Sequence, residues 1–386
     1  MVCEGDAGAM SLFDGADLIV VGAGFFGATV AEHAAREGFR VAVIDRRKHV
    51  GGNAFTYVDA HTGIEIHKYG PHIFHTNSGE VVDYLSRFTG WVPYEHRVWT
   101  TAGGRVFPMP INLATISLFT GRLMSPREAR AWVAEHAGGF PAPGNLEEKA
   151  ISLIGRPLYE AFIRGYTQKQ WQTDPSLLPA EVITRLPVRY SFDNRYFSDT
   201  FQMMPEDGYT AIFERMLASP NIAVHLGVDW FSARGGAPDV PVVYTGPIDR
   251  YFGERLGRLG WRTVDFAHEV HEGDFQGCAV MNYADADVAW TRIAEFKHFA
   301  PWRGEFEKTV IAREYSRFAG ARDEPYYPIN LAEDRARYDG YRALAAEEKR
   351  VVFGGRLGTY RYLDMHQAIG AALRAWEREV RPLLTR

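Results

Sequence analysis

A glycine-rich turn held between two apolar runs restricts this chain more than any other feature. Asp17 to Val21 (DLIVV) is a short β-branched run, GAGFFG follows at 22–27, a helical pattern runs from Ala28 to Arg36 and closes at Gly38, and Arg40 to Ile44 (RVAVI) leads into Asp45. Strand, turn, helix and strand in that order make a βαβ unit. Gly22 permits the tight turn, Gly24 lets backbone approach a pyrophosphate, and Gly27 lets the helix pack on the strand while its first amides face the phosphates. Phe26 sits inside the same motif, and Asp45 is placed to accept from ribose hydroxyls. The opening of the chain is therefore a dinucleotide cradle.

Charge and composition exclude other classes. With 43 Lys+Arg against 48 Asp+Glu in 386 residues the formal charge is −5, which opposes binding a nucleic acid through a basic face. Cys3 and Cys278 are too few for a disulfide framework, and no Cys/His spacing of a structural zinc site occurs. The N-terminus carries acid where a signal peptide needs positive charge, and the apolar stretch Leu18–Ala31 holds three glycines and is shorter than the ~20 residues of a membrane helix. A cytoplasmic protein without a membrane span is expected.

The order of segments predicts an interrupted core. Residues 1–15, rich in Gly, Ala and acid, read as a disordered extension; 16–78, 205–260 and 345–386 read as a discontinuous cofactor domain. Residues 79–165 read as helical, because Ser125-Pro126-x-Glu128 forms a capping box and Asn145 with Glu148 repeats the spacing. Residues 166–204 and 261–344 read as a substrate-binding sheet region, the aromatic stretch 186–204 (LPVRYSFDNRYFSDTFQMM) as strands, and Asp364–Leu384 as one long helix.

Two segments narrow the cofactor. Arg46 to Asn53 (RRKHVGGN) brings a second glycine pair, including Gly52, soon after the acid, an extension that resembles flavoproteins of the glutathione-reductase type and favours FAD over NAD. The expected fold is α/β, a Rossmann-type FAD-binding core with an inserted helical region and an antiparallel sheet region. GGRLGTYRYLDMHQAI at 354–369 would return to the flavin, with Gly355 for close approach, Arg356 for negative charge, and helix amides near Asp364 and Met365 for its oxygens. His72 and His75, in YGPHIFHT, fall in a constrained loop beside Gly70 and Pro71. A metal role would need a third ligand, and none is assigned.

The blocks GAGFFGA, RRKHVGGNA, IHKYGPHIFHT, GYTQKQW, RLPVRYSFDNRYFSD, YTGPIDRYF, WTRIAEFKHF, EPYYPIN and GGRLGTYRYLDMHQ, collinear from about residue 17 to the C-terminus, resemble bacterial UDP-galactopyranose mutases. The resemblance implies a diphosphate clamp of Arg189 and Arg292, a nucleotide-sugar site that includes Tyr166 and Trp171 with Phe162 and Thr167 near the uridine, and pocket positions at Tyr196, Asn282, Tyr327, Tyr362 and Asp364. It further implies non-redox interconversion of UDP-galactopyranose and UDP-galactofuranose, with nitrogen-5 of reduced FAD attacking the anomeric carbon to give a covalent flavin–sugar adduct. His72 and His75 would tune or cover the flavin, the segment around Trp171 would exclude water, and a cellular reductant and a homo-oligomer are the expected partners. One position departs: the family usually has Gly after KQW, and this chain has Gln172. Other readings are a mutase for another nucleotide-hexopyranose, a true FAD oxidoreductase sharing the core, and a binding protein without turnover.

Overall fold

The computed structural model describes residues 12–183 and 188–385. A five-stranded parallel sheet runs in the order Ile222–Leu226, Val41–Asp45, Leu18–Val21, Val242–Tyr244 and Val351–Phe353. Leu18–Val21 is buried along its whole length, as expected for a β-branched strand covered on both faces. The helix Phe25–Arg36 returns the chain from Leu18–Val21 to Val41–Asp45 and packs beside the helix Met365–Ala375. A Cβ at Gly27 would lie 1.9 Å from the Gly22 carbonyl oxygen, so only glycine lets this helix start so close to the strand. The fold class is thus α/β with a Rossmann-type core.

A seven-stranded mixed sheet stands against this core, in the order Tyr327–Pro328, Trp261–Glu272, Lys308–Phe318, Arg292–Glu295, Val280–Tyr283, Val98–Ala102 and Arg105–Met109. Its pairs are antiparallel except Val280–Tyr283 with Val98–Ala102. Helices Leu113–Thr120, Pro126–His136 and Leu146–Ile154 follow, and a π-helical turn Tyr159–Arg164 leads into Gly165–Trp171. Both expected caps form: Ser125 accepts from the Glu128 amide, and Asn145 Oδ1 accepts from the Glu148 amide at 3.0 Å.

Four expectations differ from the structure. Residues 79–165 are not wholly helical, since Trp91–Pro93, Val98–Ala102 and Arg105–Met109 are strands, the last two lending an edge to the mixed sheet. Of the aromatic stretch 186–204, residues 186–187 lie outside the described residues, and only Phe201–Pro205 is a strand. In between, carbonyls of Arg195 and Phe197 accept from the Arg189 guanidinium and so do not serve a ladder. Of the expected extension, 1–11 lie outside the described residues, but Phe13 is buried against Trp230 with ring centroids 6.3 Å apart. The last helix passes through a π turn at Trp376–Val380 before Arg381–Leu384, where Pro382 has no amide to donate.

Candidate active site: a cavity lined from two sheets

A cavity of about 510 Å³ runs from the glycine turn to the mixed sheet. At its first end the wall is mostly backbone. Gly22 holds φ +108°, and a Cβ there would meet Thr245 Oγ1 at 2.0 Å. Gly51 donates its amide to the Ala23 carbonyl at 2.8 Å, which brings Gly52 against Gly24 so closely that a Cβ on Gly52 would lie 3.3 Å from the Gly24 Cα. No side chain caps the helix that starts after Gly24, so its first amides face the cavity with their partial positive charge. Asp45 binds the Ala23 amide through Oδ2 at 2.9 Å and the Arg47 amide through Oδ1 at 2.8 Å; a carboxylate has lone pairs left for ribose hydroxyls. These features fit the adenosine and pyrophosphate portions of FAD.

The remaining cofactor residues gather on the same wall. Arg46 and Arg47 both hold Glu324, at 2.5 and 2.9 Å, and Arg47 also donates to Asn53 Oδ1 at 2.9 Å. Phe26 closes the floor where a Cβ on Gly354 would strike its ring at 2.1 Å; next to it Gly355 takes φ +71°. Arg356 lines the cavity and donates to the Pro325 carbonyl at 3.3 Å; burial lowers its pKa. Met365 begins a helix whose preceding residue, Asp364, makes a capping box with Gln367, and both Met365 and Asp364 line the cavity.

The other end is built from side chains of separate strands. Arg292 donates from Nη2 to the Tyr166 hydroxyl at 3.1 Å, its Nε stands 3.8 Å from Glu314 Oε2, and it lies opposite Asn282 in strand register. Burial opposes the Arg292 charge, but Tyr166, Glu314, Tyr196 and Tyr327 more than offset it and raise its pKa. Burial raises the Glu314 carboxyl, with Arg292 pulling the other way. Arg292 Nε, Glu314 Oε1 and Asn282 Oδ1 are buried with no hydrogen-bond partner among the described residues. Buried polar atoms left in that state are costly unless a polar ligand meets them. Tyr327 stacks on Tyr362 at 5.8 Å, and both line the cavity with Tyr196.

The two histidines border this space with different partners. His72 Nδ1 donates to the Gly70 carbonyl at 2.7 Å, and burial pushes its pKa down to about 4, so near neutral pH its Nε2 is an acceptor. His75 Nδ1 meets Asp199 Oδ2 at 2.7 Å, and its ring stacks on Phe197 at 3.7 Å. Ligand atoms of His75, Asp364 and His366 lie within 4.8 Å of one another, a grouping able to hold a metal ion, although His75 Nδ1 is already engaged by Asp199.

Six expected residues are not on the cavity lining: Tyr166 and Asn282, which neighbour Arg292, and Arg189, Phe162, Thr167 and Trp171. Arg189 does not line this cavity; its guanidinium donates to the carbonyls of Asp193, Arg195 and Phe197 and to Ser198 Oγ at 2.8 Å, bracing the loop that presents Tyr196. Phe162 is 3% exposed, packed edge-on to Phe107 at 5.0 Å and Phe119 at 5.7 Å, because its position in the π turn faces the helical core. Thr167 is buried as well, and Trp171 is half-buried at the helix end against the main core. Conversely, Glu314, His96 and Glu324 were not singled out from sequence. Glu314 had one signal: it shares strand parity with the small, buried Ala312 and Ser316, where a charge needs a partner.

The fold and cavity define a Rossmann-type dinucleotide-binding protein whose second wall carries Arg292 among buried polar atoms without partners among the described residues. A family model for UDP-galactopyranose mutase matches residues 161–362, and one for NAD(P)-binding Rossmann-like domains matches 20–88. The chain is 45% identical over 359 residues to a probable UDP-galactopyranose mutase of Klebsiella pneumoniae, with 93% of each chain covered. It is 40% identical over 365 residues to the dTDP-fucopyranose mutase of Escherichia coli, covering 92% of this chain and 96% of that one. A crystal structure of reduced UDP-galactopyranose mutase superposes with a TM-score of 0.74 at 15% identity, over 96% and 95% of the two chains. The chain belongs to the UDP-galactopyranose mutase family. Putrescine oxidase bound to putrescine shares the fold alone, with a TM-score of 0.54 at 11% identity. No helix among the described residues is long and apolar enough to cross a membrane.

Proposed function

We propose that the chain is a flavin-dependent, non-redox mutase that interconverts UDP-galactopyranose and UDP-galactofuranose. The observation that carries this reading is the half-buried Arg292, with Glu314 beside it in one cavity with the glycine cradle and Tyr166 and Asn282 as its further neighbours. Reduced FAD, when bound, would supply nitrogen-5 as the nucleophile that displaces UDP from the anomeric carbon.

Arg292 holds the diphosphate and stabilises the charge that grows on it as the glycosidic bond breaks. The Tyr166 hydroxyl, which accepts from Arg292, is free to donate its own proton to a phosphate oxygen. Tyr327 and Tyr362 offer adjacent ring faces to the sugar or base. His72 presents its Nε2 lone pair to a proton donor on the bound cofactor or sugar, and the hydrogen bond with Asp199 fixes the ring of His75. Arg189 acts at one remove, by holding the loop of Tyr196 and Phe197 against the cavity.

The 40% identical dTDP-fucopyranose mutase supports a second reading, the same ring contraction on another nucleotide-hexopyranose. Anaerobic chromatography of the yellow protein with UDP-galactofuranose, with and without dithionite, separates the cases. UDP-galactopyranose formed only after reduction is the expected result. Conversion of a dTDP-fucose pair but not of the UDP pair would move the substrate, and net oxidation of either sugar would replace the mutase reading with an oxidoreductase.

A further inference from the structure

Gln172 ends the helix Gly165–Trp171 in the left-handed region, at φ 48° and ψ 36°. A side chain is strained there and glycine is not. The glutamine side-chain oxygen is engaged twice: Oε1 accepts from Arg262 Nη1 at 3.2 Å and from the Phe318 amide at 3.2 Å. Arg262 is 1% exposed, lies over the Phe318 ring at 4.4 Å, and has no carboxylate partner among the described residues. Its Nη2 donates to Ser316 Oγ at 3.1 Å, and that hydroxyl donates to the Gln170 carbonyl at 2.7 Å. Burial lowers the Arg262 pKa to about 10, as expected of a guanidinium held by neutral groups.

Two bonds therefore tie the last helical turn to the strand Lys308–Phe318, one through the Gln170 carbonyl and one through the Gln172 side chain. The helix carries Tyr166 and Trp171, and the strand carries Glu314. Tyr166 meets Arg292 at Nη2, and Glu314 stands next to its Nε. We propose that Gln172 is a positioning residue for the nucleotide-sugar site, a latch that holds the Tyr166 and Trp171 helix in register with the Arg292 and Glu314 strands. The latch rests on the mutase reading, because it matters only if Arg292 and Tyr166 bind a nucleoside diphosphate.

Free of the latch, the helix end would sample other positions, and binding would have to reselect the competent one, which lowers apparent affinity. Gln172→Gly relieves the left-handed strain while deleting the two Oε1 bonds to Arg262 and Phe318 and leaving Ser316 on the Gln170 carbonyl, so its thermal midpoint should stay close to that of wild type. Gln172→Glu keeps an acceptor for Arg262 and Phe318. The test is UDP affinity of the FAD-loaded protein, followed by tryptophan fluorescence, with steady-state kinetics and thermal midpoints beside it. Gln172→Gly should weaken UDP roughly tenfold and raise KM similarly at unchanged midpoint. Gln172→Glu should stay within about twofold of wild type. Gln172→Gly with wild-type UDP affinity and wild-type kcat/KM would overturn the latch, as would a weakening that Gln172→Glu fails to restore. If the wild-type protein itself ignores UDP, the functional reading has failed instead.

Discussion

The two ends of the cavity are made of different material. The cofactor end is backbone: glycines at 22, 24, 27 and 52, the uncapped start of the helix Phe25–Arg36, and a cluster of peptide amides around Asp45. The end proposed for the substrate is side chain: Arg292, Glu314, Tyr196, Tyr327 and Tyr362, delivered by segments up to 166 residues apart in sequence (362 minus 196), with Tyr166 and Asn282 beside Arg292. A backbone site depends on what cannot be present, a Cβ, whereas a side-chain site depends on partners staying where the fold puts them. Damage should therefore be all-or-none at one end and graded at the other.

The largest effect is expected from Gly27→Val. Its Cβ would overlap the Gly22 carbonyl oxygen at 1.9 Å, so the helix must retreat from the strand and take its amides away from the pyrophosphate. The purified variant should hold roughly a tenth or less of the wild-type flavin, read from visible absorbance, with its far-ultraviolet circular dichroism retained. Full flavin loading would show that the cradle is less tightly built than its glycines indicate.

Arg292→Ala probes the other end. It leaves the glycine cradle untouched, so flavin should remain bound, while turnover falls by about 100- to 1000-fold. Arg189→Ala sharpens the contrast, since that guanidinium binds its own loop and not the cavity. It should lower the thermal midpoint and raise KM by about tenfold with kcat little changed. A loss in kcat as deep as that of Arg292→Ala would instead bring Arg189 to the diphosphate during the reaction.

The same contrast decides what was legible in the sequence. GAGFFG, the acid at Asp45 and RRKHVGGN declare the cofactor end because its requirements are local: spacing along one strand, one turn and one helix. The parallel strands Ile222–Leu226, Val242–Tyr244 and Val351–Phe353 likewise stand on short apolar runs. Nothing local marks Glu314 as the neighbour of Arg292, because their proximity is set by the register of Arg292–Glu295 on Lys308–Phe318. Family resemblance pointed to Arg292, Tyr327 and Tyr362, which do meet, and also to Phe162 and Arg189, which face other surroundings. A motif carries residue identity; it does not carry the direction of a side chain.

Acid should also act on two buried histidines, of which His96 lines the cavity. His67 and His96 are 2% and 4% exposed, and burial pushes both pKa values down to about 3 from the ordinary 6.5. Both are held neutral: His67 Nδ1 accepts the His72 amide at 3.1 Å, and Arg292 and His75 repel a proton on His96. Because the folded pKa lies below the unfolded one, the unfolded chain binds more protons in between. Stability is then complete above about pH 6.5 and declines as pH falls toward 3, by up to ~1.4 kcal/mol per pH unit for each histidine. Denaturant titrations between pH 7 and 4 should show that slope, and a flat profile would mean that these rings are solvated.

Phe162→Leu should have the smallest effect and is the most discriminating for the helical insertion. If Phe162 lined the uridine site, losing its ring would remove stacking area and raise KM without much change in stability. In the structure the ring is edge-on to Phe107 and Phe119 and shut off from solvent, so leucine loses aromatic contacts inside a packed cluster. The expected cost is ~1 to 1.5 kcal/mol of stability, measured by denaturant midpoint, with KM for the nucleotide sugar unchanged. The opposite pattern, a raised KM at constant stability, would return Phe162 to the nucleotide site and move the boundary between helical core and substrate wall by one helical face.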